Sequence, residues 1–228
     1  MDQNSTIPNP PAAPRRRAAS KRSLATSLNI LDAAERLFAE RGYDGASVRD
    51  IATHAGAQLA SISFHHGGKE ALFERVVERR AAELSQLRLD ALAARKASHE
   101  PLTLEAVLSA FLRPYLDKAS AGGPQWLAYA RLVAMVSADA RWHKISECCF
   151  DPTAGIFIAE IEQLFPEADK ATIAVAFVFS VSAMLSLSTS KWRIEALSKA
   201  SESAIAMDDL ADTLVRFCEA GLRAALGS

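Results

Sequence analysis

Gln58, Ser61 and Ser63 lie within a six-residue stretch, and His65 and Lys69 follow closely. Short amide and hydroxyl side chains reach base edges in a major groove, whereas an imidazole and an ammonium suit phosphates. With Ser47, Leu59 and Phe64 they form the candidate DNA-contacting set, extended by Arg15, Arg16 and Arg17 of a basic stretch upstream. Residues 15 to 22 hold five positive charges and no acid, which suits phosphates through counterion release.

Other reactive residues point elsewhere. His143, Cys148 and Cys149 lie close in sequence, but adjacent cysteines leave a helix on different sides and no spaced Cys-x-x-Cys accompanies them, so no metal site is expected. Glycine-rich phosphate loops, nucleophile elbows and paired His-Glu motifs are missing, so neither catalytic residues nor a cofactor is expected. Phe111, Leu112, Tyr115, Trp126 and Tyr129 exceed what one helix face buries, and Arg131 adds a polar anchor. These six are the candidate contacts of a small-molecule effector.

Those groups must be held by helices. Ile30, Leu31, Ala34, Leu37 and Phe38 recur at helical spacing, with Asp32, Glu35, Arg36 and Glu40 assigned to the opposite face, and Gly42 ends the helix. Ser47 with Asp50 three residues on caps a short helix; Gly56 breaks it, and Ala57 to His66 makes a third with Ala60 and Ile62 inward. Lys69 opens a longer helix toward Leu84. A supporting helix, a short helix, a glycine turn and a second short helix form the layout of a helix-turn-helix. Further helices are expected over about 83–97, 103–119 with a kink at Pro114, 125–138, 153–164, 168–190 and 207–226.

The chain has 228 residues, 50% hydrophobic and 23% charged, with a formal net charge of −1, a balance that suits packed globular domains. Three cysteines and no apolar leader suit a reducing cytoplasm. Ala171 to Ser190 carries no charge and is long enough to span a bilayer, yet its serines suit close packing inside protein, so no membrane partner is expected.

The segments ILDAAERLFAERGYDGASVRDIATHAG and SISFHHGGKEALFERVV resemble the TetR family of one-component repressors over about 50 residues. The resemblance implies that the helix ending at His66 reads DNA, that Lys69 grips the backbone, and that a larger helical domain dimerises and binds ligand. Phe64, His66 and Gly68 depart from the family pattern. Phe64 stands near the place of a tyrosine and lacks its hydroxyl, His66 replaces a large apolar residue and is read as packing, and Gly68 replaces a capping side chain. RLVAMVSADARWHKI followed by FDP is similar to regulators whose ligand domains accept fatty-acyl or other apolar effectors.

The expected fold is all-α. Residues 1–23 form a disordered basic arm, 24–82 a three-helix helix-turn-helix DNA-binding domain, and 83–228 a larger helical ligand-binding and dimerisation domain. Phe177, Ser180 and Met184, with Leu210, Leu214, Phe217 and Gly221, are the expected dimer interface, a half-bundle completed by a second copy. The expected partners are a double-stranded DNA operator, a second copy of the chain and a small effector. The alternatives are an all-helical protein-interaction module and a thiol-responsive regulator without a small-molecule ligand.

Overall fold

The computed structural model describes residues 15–199 and 206–227, with residues 15–20 described as backbone alone. Every regular element among them is helical: α1 Arg15–Gly45, α2 Val48–His54, α3 Leu59–His66, α4 Lys69–Lys96, α5 Leu104–Ala121, α6 Pro124–Ala138, a 3₁₀ turn Ala140–Trp142, α7 His143–Cys149, α8 Asp151–Leu164, α9 Lys170–Ser198 and α10 Met207–Leu226.

Helix α1 begins at Arg15 rather than near Leu24, so residues 15–23 are helical and not a disordered arm. Those residues are arginine, alanine, serine and lysine, with no glycine or proline. Extending a helix that is already nucleated adds one hydrogen bond per residue without a new nucleation cost. The rest of the expected arm, and the side chains of Arg15, Arg16 and Arg17, lie outside the described residues. At the other end, Gly42 has φ 70° and ψ 172°, a break that glycine takes without steric cost, and one further turn follows it.

Ile30, Leu37 and Phe38 of α1, Ile51 of α2, Ile62 of α3 and Leu72, Phe73 and Val77 of α4 form the fully buried centre of the first domain. Two expectations fail here. Glu35, assigned to the solvent face, is buried and makes a bidentate pair with Arg80 of α4, Nη2 donating to Oε2 at 3.0 Å. Ala60, expected inward, is exposed. Arg79 pairs with Asp32 at 2.6 Å beside this buried pair, and the Arg80 guanidinium also lies 5.1 Å from the Trp126 ring of α6.

The expected boundary between residues 82 and 83 falls inside α4, which runs unbroken because residues 69–96 contain neither glycine nor proline. Its first turns pack into the helix-turn-helix, and Leu84, Arg88 and Leu92 pack into the second domain. A second joint is aromatic. Tyr43 meets Phe73 at 5.2 Å and Trp142 at 4.8 Å between ring centroids, while Arg141 pairs with Asp44 at 3.2 Å.

In the second domain Thr103 caps α5, accepting from the Ala106 N–H at 3.2 Å, and α5 continues through Pro114. Helix α7 and the 3₁₀ turn before it fill a stretch with no expected helix, and α9 continues past residue 190 to Ser198 with non-helical angles at Ser190. Helix α9 is long and apolar enough to cross a membrane. Here one side of it, including Ile173, Phe177 and Met184, is buried in the protein core.

Candidate nucleic-acid interface and effector cavity

Helix α2 is held at its start by Ser47, whose Oγ accepts from the Asp50 N–H at 3.0 Å, while the Asp50 carboxylate accepts from Arg41 at 3.1 Å. The Ser47 hydroxyl is thus occupied as a cap. After the turn at Gly56, Ile62 anchors α3 inward and leaves Gln58, Leu59, Ser63 and Phe64 exposed, with Ser61 and His65 half-buried. Phe64 is 82% exposed, an unusual place for a phenyl ring unless something covers it. Gly67 closes α3 in the left-handed region, donating its N–H to the Ser63 carbonyl at 3.0 Å, and Gly68 follows at φ 126°. A side chain is strained at that angle, so glycine suits the connection although it gives α4 no side-chain cap.

Lys69 stands at the start of α4. Its Nζ is 3.5 Å from the Asp44 carbonyl and 4.5 Å from the Tyr43 ring centroid, so the ammonium is held at the edge of the α3 face. His66 is buried, with Nε2 3.3 Å from Ser27 Oγ and Nδ1 without a partner. Burial, reinforced by nearby Arg75, holds its pKa below the usual histidine value. The Ser27–His66 contact lays the start of α1 beside the end of α3. Lys21 and Arg22, one to two turns upstream, are exposed about 9 Å further along the axis. Arg49, Thr53 and His54 of α2 are also exposed; polar positions on a seven-residue helix too short to show a clear face were the only signal for them.

The effector candidates are not brought together. Leu112 is wholly buried in the hydrophobic core. Tyr115 donates to the Ala130 carbonyl at 3.1 Å and meets Ser188 Oγ at 2.9 Å, as a core residue does. Trp126 has Arg80 and Lys118 within about 5 Å of its ring centroid, and Tyr129 is fully buried with its hydroxyl unpartnered. Arg131 points to solvent. Of the six, only Phe111 borders a cavity of about 380 Å³ between α4, α5, α6, α7, α8 and α9. Its walls include Leu84, Val133, Ile158, Phe177 and Leu185, and Arg88 lines it too, a residue sequence reasoning passed over. The readable signal was Leu84-x₃-Arg88-x₃-Leu92, a charge on an apolar stripe.

Three of the expected interface residues face inward. Phe177 packs against Phe111 at 4.8 Å, Ser180 donates to the Ala176 carbonyl, and Met184 is 1% exposed. Helix α9 is apolar on all sides, so periodicity could not choose its outer face. That face carries Val175, Val178 and Phe179, the last 69% exposed. On α10 the buried stripe is Ala211, Leu214, Val215, Cys218 and Leu222, leaving Phe217 at 69% exposure and Gly221 outside. Leu210, Leu214 and Phe217 border a shallow groove of about 410 Å³ between α9 and α10.

No group of three or more His, Cys, Asp or Glu side chains converges among the described residues. Burial pushes the Cys149 thiol up to about 11 and raises that of Cys218, which disfavours the reactive thiolate.

Residues 30–76 match the family model described as bacterial regulatory proteins of the tetR family, and residues 109–221 match the tetracyclin repressor-like C-terminal domain. The chain is similar to the HTH-type transcriptional repressor AcnR of Corynebacterium efficiens, 40% identical over 57 residues, 25% of this chain and 30% of that protein. It is also similar to the HTH-type transcriptional regulator BetI 2 of Chromohalobacter salexigens, 34% identical over 93 residues, 40% of this chain and 43% of that one. The matched segments thus span less than half the length of these relatives. The fold is that of the transcriptional regulator FadR from Bacillus subtilis, solved in complex with stearoyl-CoA, with TM-score 0.63, 15% identity, and coverage of 85% of this chain and 98% of that one. With a helix-turn-helix matched at one end and a tetracyclin repressor-like helical domain matched at the other, the chain belongs to the TetR family of transcriptional regulators.

Proposed function

We propose that the chain is a cytoplasmic, ligand-responsive transcriptional repressor that binds a palindromic operator as a homodimer and is released by a small, largely apolar effector. The observation that carries the DNA part is the outward face of α3. Ile62 and His66 are buried beneath it, while Gln58, Ser63 and Phe64 stand clear of the protein beside Lys69. Polar groups there specify bases, and Lys69, Lys21, Arg22 and Arg49 position the backbone. The relatives named as repressors support the regulatory sense.

The dimer is proposed on the outer faces of α9 and α10, where Val175, Phe179 and Phe217 lie exposed on adjacent helices. A two-fold axis there would pair the two α3 helices with an inverted repeat. For the effector, α4 supplies the connection: Arg88 at the cavity and Lys69 at the α3 edge share one unbroken helix, about 28 Å apart along its axis. A ligand that shifts α4 changes the spacing of the recognition helices, and its differential binding sets the size of the release.

The test is selection of bound fragments from random duplex DNA, followed by titration of the recovered site at several salt concentrations. The expected result is an inverted repeat whose affinity falls steeply with salt. Recovery of no specific site would overturn the reading.

A further inference from the structure

The cavity of about 380 Å³ holds one buried charged side chain, Arg88, in a mostly apolar wall that also carries Ser137, Ser146, Ser182 and the exposed Asp151. Arg88 is 6% exposed. Its Nε donates to the Phe111 carbonyl at 2.9 Å, its Nη2 reaches only the Met184 sulfur at 3.7 Å, and its guanidinium stacks 3.7 Å from the Phe111 ring centroid. A guanidinium carries five N–H donors, and thioether sulfur is a weak acceptor, so most of this donor capacity is unspent.

The contrast with Arg80 is informative. That arginine, on the same helix and similarly buried, is matched by the Glu35 carboxylate. Among the described residues no carboxylate pairs with Arg88; the groups whose charge acts on it are Tyr115 and Tyr129, whose hydroxyls stay protonated at neutral pH because burial raises both. Burial lowers the pKa of Arg88 to about 10, which still leaves it cationic at pH 7. Asp151 borders the cavity but is exposed and makes no ion pair with it. A buried cation without a counter-ion is costly, and the planar guanidinium fork matches an anion with two acceptor oxygens in one plane.

We propose that Arg88 and the cavity beside it form a binding site for a medium-length apolar carboxylic acid, the guanidinium holding the carboxylate and the walls holding the hydrocarbon. At about 30 Å³ per water-sized group, the cavity accommodates about 12 non-hydrogen atoms, the size of decanoate. Leu84, Val133, Ile158 and Phe177 provide the apolar surface for the chain. This assignment rests on the reading of the second domain as the effector domain and names the chemical class of that effector.

The experiment is calorimetric titration of the full-length protein at pH 7 with decanoate and with decanamide, its uncharged counterpart of equal size. Charge-assisted pairing predicts decanoate binding tighter by about 10- to 100-fold. Arg88→Met is expected to abolish that preference without lowering the melting temperature, because it removes an unpaired buried charge. Ile158→Trp, which fills the cavity, is expected to abolish binding of both. Equal binding of acid and amide by the unmodified protein overturns the site whether or not Arg88→Met folds, as does a preference that survives Arg88→Met. The same ligands are then titrated against the protein bound to its selected duplex. Arg88-dependent decanoate binding that leaves duplex affinity unchanged supports the site and refutes the effector reading. Release by decanamide without decanoate binding refutes the site and keeps that reading.

Discussion

At the scale of single residues, the proposed DNA reading divides the α3 face into groups that read and groups that hold. Lys69→Ala is expected to weaken every duplex alike, by about 1 kcal/mol, and to reduce the salt slope by about one counterion. Ser63→Ala or Gln58→Ala is expected instead to change the ranking among operator variants, by about 1–3 kcal/mol at one base position; anisotropy titrations across a variant panel check both. His66 makes a prediction about pH. Its folded pKa lies below the ordinary value of 6.5, so the unfolded chain binds more protons in the window between the two. Stability is full above about pH 6.5 and falls as pH drops through that window. Thermal melts from pH 7.5 to 5 should show the loss, and His66→Leu should flatten it. The polar side chains of this face were legible in the sequence from their types and from Ile62 as the inward residue, but Ala60, which points out, was not, because an eight-residue helix with four apolar residues leaves its face open. Glu35 was not legible either, since a charge among Asp32, Arg36 and Glu40 reads as a solvated face until its partner 45 residues away is known, whereas Arg88 left a signal in the apolar stripe that flanks it.

Among the elements, α4 ties the two domains together. The Glu35–Arg80 pair clamps α1 to α4, and Arg80 in turn lies against Trp126 of α6. Burial pushes the Glu35 carboxyl up despite the guanidinium beside it, so the pair is held against a desolvation cost. Glu35→Leu alone is expected to cost about 3–5 kcal/mol, because Arg80 would remain buried without a partner. Adding Arg80→Met should recover most of that stability; chemical denaturation of the two single variants and the double variant checks the coupling. Helix positions were mostly readable from caps and breakers, as at Ser47, Thr103 and Gly42. The long reach of α4 and the early start of α1 were not. A composition shift suggests a boundary, but a helix ends only where glycine, proline or a lost hydrogen bond ends it.

For the whole molecule, the exposed apolar faces of α9 and α10 are the proposed dimer interface. Phe217→Glu places a carboxylate on that outer face and is expected to give a folded monomer with operator affinity reduced at least 10-fold. Leu214→Glu, nearly buried within the protomer, is expected to unfold the second domain. Light scattering with circular dichroism separates the two outcomes. The sequence showed that α9 and α10 are apolar enough to pair but not which side of α9 faces out, because its packing against α5, α6, α8 and α10 decides that.

The central claim, a symmetric dimer placing two α3 helices on one face of a duplex, is tested most directly by the spacing of half-sites. Titrations compare the selected operator with a version carrying about five extra base pairs at its centre, which turns one half-site to the opposite side of the helix. The account predicts two chains bound per selected duplex and an affinity loss of at least 100-fold on insertion. Equal affinity for both duplexes, or one chain bound per site, would contradict it.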